Sequence, residues 1–93
     1  MIRSFKHKQL KALYLHGSSK GLHADHVQRM ALILSRLDAL DTIDGMRLPS
    51  YRLHELKGDR KGYWAVTVRA NWRIVFRFEN GDVYDVDLSL IHI

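Results

Sequence analysis

Between residues 54 and 77 the chain places His54, Lys57, Arg60, Lys61, Arg69, Arg73 and Arg77, with Glu55 and Asp59 the only acids in the stretch. One titratable ring among permanent cations is a set suited to a phosphodiester. Cutting RNA with side chains alone requires a base to take the proton of the 2′-hydroxyl and cations to hold the charge that builds on the phosphorane. It also requires an acid to protonate the departing 5′-oxygen. Lys6 and Lys8, near the N-terminus, add cations able to touch an RNA backbone. The same pattern also describes a solvated basic surface with no partner, and composition alone does not separate the two.

Positioning these groups falls to a short chain. Ninety-three residues are too few for two independent cores, so one domain over 1–93 is expected. The net charge of +5 is unevenly spread. Residues 1–20 hold five Lys/Arg and no acid, and residues 47–77 hold eight Lys/Arg against two acids. Residues 21–46 and the final sixteen are net acidic. Concentrated positive charge raises the local density of polyanions such as RNA or DNA. There is no cysteine, hence no disulfide framework or thiolate metal site, which fits a reducing cytosol. The best apolar run, Met30 to Leu34, is flanked by Arg29 and Arg36, too short for a membrane span. The opening residues lack the apolar stretch of a secretory signal.

The periodicity then assigns elements. Ile2 to Phe5 reads as a short opening strand. Lys6 to His16 reads as a helix with Leu10, Leu13 and Tyr14 on one face, ended by Gly17. Asp25, with Gln28 three residues on, is placed to cap a second helix running to about Leu40, whose stripe is Val27, Met30, Ala31, Leu34 and Leu37. From Tyr51 the period changes to two. Tyr51-Arg52-Leu53 starts a strand, Lys57 to Gly62 is a polar turn, and Tyr63–Val68 and Arg73–Phe78 alternate as strands. Asn80-Gly81 is a hairpin signal, and Val83–Leu88 returns. The class is α+β, two helices covering one face of an antiparallel meander. Alternation puts Arg73 and Arg77 opposite Ile74, Phe76 and Phe78. If helices bury the apolar set, the arginines line the other face, where Arg69, Lys57, Arg60 and His54 can converge.

The stretch from Tyr51 to Phe78, above all Leu56-Lys-Gly-Asp-Arg60 and Asn71-Trp-Arg-Ile74, closely resembles the HigB toxins of the RelE-like superfamily. Met1-Ile-Arg-Ser-Phe-Lys-His-Lys8 is similar to that family's start, and the length fits. The resemblance implies two N-terminal helices packed on a small, mainly antiparallel curved sheet. It implies ribosome-dependent cleavage of mRNA in the cytoplasm, without metal or other cofactor. The implied partners are a HigA-like helix-turn-helix antitoxin, the ribosome and mRNA, with operator DNA met only through the antitoxin. It puts the family's catalytic histidine and lysine on His54 and Lys57, its arginine on Arg73 and its terminal histidine on His92. Lys6, Lys8, Arg60, Lys61, Arg69 and Arg77 are the candidate RNA contacts. The family closes with Asp-Tyr-His, whereas this chain has Leu90-Ile91-His92. Neither Leu90 nor Ile91 donates a proton, so weakened catalysis with binding retained is the expected consequence. The rival reading is a catalytically weak module that binds RNA and antitoxin and acts as co-repressor.

Other residues read more plainly. His23 and His26 have no third ligand at fitting spacing, so they are expected to be solvated and no metal site is expected. Gly58 and Gly62 bracket a turn, with no Gly-Lys-Ser/Thr to make a phosphate loop. Trp64 reads as core, Trp72 as mixed burial and Tyr84 as packing.

Overall fold

In the computed structural model, residues 1–90 are described. Helix α1 (Lys8–His16) and helix α2 (Val27–Asp38) precede strands β1 (His54–Glu55), β2 (Tyr63–Arg69), β3 (Trp72–Glu79) and β4 (Asp82–Leu90). The strands form an antiparallel sheet in the order β1-β2-β3-β4. The expected α+β arrangement is therefore present. No described helix is long and apolar enough to cross a membrane.

The opening segment is not a regular strand. Ile2 and Phe5 make isolated parallel bridges to Val83 and Val86 on the outer edge of β4. The amides of Lys6 and His7 both donate to the Val86 carbonyl, at 2.9 and 3.3 Å, which holds them out of the helix. Helix α1 thus starts at Lys8 rather than Lys6, capped by His7 Nδ1 accepting from the Leu10 amide at 3.2 Å. Gly17 ends it with a φ of 69°, a left-handed conformation that glycine adopts without penalty.

Helix α2 departs from expectation at both ends. A 3₁₀ turn, Ala24–His26, leads into it, and Asp25 lies inside that turn without capping. The turn's own backbone bond, His26 amide to His23 carbonyl at 2.9 Å, takes the place of a side-chain cap. At the other end Ala39 and Leu40 close a tight last turn beyond Asp38. The buried stripe is Met30, Ile33, Leu34 and Leu37, with Ile33 where Ala31 was expected. These residues meet Leu10, Leu13, Val66, Val68, Ile74, Phe76, Val83 and Val86 to form the core, with Trp64 and Trp72 partly buried against it. His26, expected to be solvated, is only 8% exposed and sits edge-on to Trp72 at 6.4 Å.

Tyr51 does not open a strand. Pro49–Tyr51 is a 3₁₀ turn with proline at its start, Arg52 takes a φ of 47°, and pairing begins at His54. The Tyr51 ring is buried under the Arg29 guanidinium, 5.1 Å from its centroid. Asn80 and Gly81 have φ values of 51° and 83°, the two positive angles that a tight hairpin turn demands.

Candidate active site

Cross-strand partners share a face, so the register lays out the sheet face turned away from the helices. Its central row is His54, Ala65, Val75 and Asp87, running from β1 to β4. One flanking row is Thr67, Arg73 and Ser89; the other is Tyr63, Arg77 and Tyr84. Ala65 and Val75 are each 1% exposed although neither belongs to the helix-side core. They form a sunken floor beneath taller neighbours, with His54 exposed at its β1 end.

Arg73 is half-buried, and its Nη1 donates to Thr67 Oγ1 at 2.6 Å. One donor of the guanidinium is thereby fixed on β2, and others remain for a phosphate. Lys57 is exposed two residues past β1, at the start of the Gly58–Arg60 turn. The Leu56 amide donates to the Tyr63 carbonyl at 2.9 Å, which ties the start of that connection to β2. His54 and Arg73 thus occupy adjacent rows of one face, and Lys57 lies near its β1 edge. A base or acid, a fixed cation and a mobile one are the parts that phosphodiester cleavage requires. His92 lies outside the described residues.

The RNA-contact candidates separate into groups. Arg60 lies over the Tyr63 ring at 5.6 Å from its centroid, and Lys6 Nζ lies over the same ring at 5.6 Å. Lys61 is exposed in the β1–β2 connection, and Lys8 is exposed in the first turn of α1. Arg77 is on the expected face, but acids hold it: it bonds Glu79, and its Nε is 3.5 Å from Asp85 Oδ2. Its guanidinium also stacks on Tyr84, at 4.3 Å, so that ring, expected to pack internally, serves this face instead. Arg69 does not join the face. The register slips between Thr67 and Arg69, so that Arg69 pairs with Trp72. A β-bulge of this kind reverses the alternation beyond it. Arg69 consequently turns to the helix side, where it lines a cavity of about 260 Å³ with Asp25, His26 and Arg29.

Sequence reasoning missed two residues that organise this face. Thr67 gives no signal apart from the register that sets it opposite Arg73. Asp85 is the other. Val75 pairs with Asp87 and Arg77 with Tyr84, leaving Phe76 opposite both Asp85 and Val86. Asp85 takes a φ of 57° in that bulge. Its amide donates to Ser4 Oγ at 2.8 Å, and its carboxylate accepts from the Tyr63 hydroxyl at 2.8 Å. The Tyr63 hydroxyl, with help from Arg77 and Lys6, holds the Asp85 carboxyl below the usual aspartate range against the opposing effect of burial. Asp85, Asp87 and Glu79 make the Tyr84 end of the β3–β4 half acidic, while Arg73 on β3 and Lys57, Arg60 and Lys61 of the β1–β2 connection form no ion pair among the described residues.

Residues 3–90 match the family model described as the RelE-like toxin of the type II toxin–antitoxin system HigB. The chain is 48% identical to the endoribonuclease HigB of Proteus vulgaris, over 99% of this chain and 100% of that one. Among solved structures it is similar to YafQ from E. coli, with a TM-score of 0.64 at 16% identity over 97% of this chain and 91% of that one. The YoeB dimer from Staphylococcus aureus gives a TM-score of 0.61 at 16% identity, over 99% and 95%. At that identity the two structures speak for the fold alone.

Proposed function

The chain belongs to the HigB family of RelE-like toxins of type II toxin–antitoxin systems, and from that membership we propose that it is an endoribonuclease that cuts mRNA on the ribosome, using side chains only. The observation that carries this reading is the placement of His54 and Arg73 in adjacent rows beside the Ala65/Val75 floor. Arg73 and Lys57 hold the scissile phosphate and the charge that develops on it. His54 and His92 are the proton-transfer pair, one taking the 2′-hydroxyl proton and the other protonating the leaving 5′-oxygen. Arg60, Lys61 and Lys6 extend the cationic half along the RNA backbone. Arg77 serves the face as a paired support, and Arg69 and Lys8 lie off this path.

A small open face with a shallow floor holds RNA loosely, so orientation must come from elsewhere; the ribosome supplies it in this reading. As a toxin of a toxin–antitoxin system the chain has an antitoxin partner. We propose a HigA-like helix-turn-helix protein in that role, with operator DNA reached through it and both proteins in the cytoplasm.

The test is a reconstituted translation reaction in which new mRNA 5′ ends are mapped. The unmodified chain should create them, Lys57→Ala should not, and omission of ribosomes should leave the RNA largely intact. Translation arrest without new ends would favour the co-repressor and binding reading, for which Leu90-Ile91 in place of acid and phenol is the supporting observation.

A further inference from the structure

We infer that the Tyr63 ring marks a second phosphate position on the open face, one row from the cleavage chemistry, where Lys6 and Arg60 hold a neighbouring, uncut phosphate of a single RNA strand. The inference rests on the reading of this face as an RNA site and adds a contact that does no chemistry.

Tyr63 stands on β2, yet its hydroxyl donates to Asp85 on β4 at 2.8 Å, so its side chain lies across β3 and is fixed at both ends. Two cations converge on that fixed ring from different parts of the chain. Lys6 comes from the segment whose amide is bonded to Val86 at 2.9 Å, and Arg60 comes from the turn after β1. Both are within 5.6 Å of one ring centroid. Among the described residues neither forms an ion pair. The carboxylate nearest to hand, Asp85, takes a hydrogen bond from Tyr63 and pairs with Arg77, so although Lys6 feels its charge it leaves Lys6 without an ion pair of its own. Two like charges held against one ring, each 5.6 Å from its centroid, both gain from an anion bound beside that ring. Because the cations lie over the ring, the position takes a phosphate rather than a stacked base, and its hold is indifferent to sequence. Two residues of strand, about 7 Å, separate the Tyr63 row from the His54 row. That is a step of roughly one nucleotide along an extended strand.

The experiment is equilibrium binding of fluorescent oligouridylate and oligoadenylate to the full chain across a salt series, in a His54→Ala background that stops turnover. Lys6→Gln with Arg60→Gln should weaken both oligonucleotides alike and reduce the slope of log K against log salt by about 0.7, the value for one single-strand phosphate. Lys11→Gln with Lys20→Gln makes the same charge change elsewhere and should leave the slope where it was. An unchanged slope in the first double variant, an equal fall in the second, or a loss confined to one base would each overturn the second phosphate position. If the parent binds neither oligonucleotide, the RNA reading of the face falls with it.

Discussion

Arg73 donates through Nη1 to the hydroxyl of Thr67, the residue directly opposite it on the neighbouring strand, at 2.6 Å. The bond fixes a long, flexible side chain by a contact that needs no acid, so the guanidinium keeps its full charge. Thr67→Val preserves shape and removes only the acceptor. It should lower the rate of mRNA cleavage by about tenfold, some 1.4 kcal/mol of transition-state stabilisation, while the melting temperature stays within a few degrees. Rates in reconstituted translation and a thermal melt check both halves. A rate equal to that of the parent would show that Arg73 needs no such support.

A second prediction concerns the position where the family carries tyrosine and this chain carries Ile91. An apolar side chain neither orients RNA through a hydrogen bond nor moves a proton. Supplying one general acid–base participant is worth about 10²- to 10⁴-fold in rate. Ile91→Tyr should therefore raise cleavage by at least about 10-fold, allowing for imperfect placement. Adding Lys57→Ala to the same variant should abolish the gain. If Ile91→Tyr and the unmodified chain cut equally fast, the terminal phenol is dispensable here.

Acid stability provides a third. The Asp38 carboxylate accepts from the Ile2 amide at 3.0 Å and from the Tyr14 hydroxyl at 2.8 Å. The Ile2 amide first, and then Tyr14, hold its carboxyl below the ordinary aspartate range. Asp85 is lowered too, chiefly by Tyr63. A carboxyl with a depressed folded pKa stabilises the fold fully above its unfolded value of about 3.9, and that stabilisation is lost as pH falls through the folded value. The melting temperature should thus decline below about pH 4. Asp38→Asn should start lower and show a shallower decline. Melts in a pH series decide it, and parallel acid limbs for variant and parent would count against the assignment.

The β4 bulge yields a fourth. Ser4 Oγ accepts from the Asp85 amide at 2.8 Å, where the ladder is interrupted. Ser4→Ala leaves that part-buried amide without its acceptor, at a cost of about 1–2 kcal/mol. Urea denaturation should show a lower midpoint with an unchanged slope, and Ser4→Thr, which keeps the hydroxyl, should recover most of the loss.

Much of the fold was legible because local patterns agree with it. The alternation along Tyr63–Val68 and Arg73–Phe78, the Asn80-Gly81 turn and the stripe Met30, Leu34 and Leu37 all describe what is present. Arg73 and Arg77 were put on the correct face by the same alternation. What escaped depends on partners far along the chain. Lys6 leaves the helix because Val86 takes its amide, and Arg69 changes sides because the ladder slips near Val68. Asp85 adopts a left-handed backbone angle that no glycine announces. Arg77 reads as a free cation until Glu79 and Asp85 are seen beside it.

The pinning of the first residues to β4 also sets a schedule. Ser4 and Asp85 are 81 positions apart, and contacts of such separation close late in folding. The helices make mostly local contacts and can form early, but Lys6 and Tyr63 find their places only after β4 has emerged. A nascent chain that has not yet extruded β4 carries His54, Lys57 and Arg73 without the scaffold that aims them. That face is complete only once β4 has left the ribosome and closed on the opening segment.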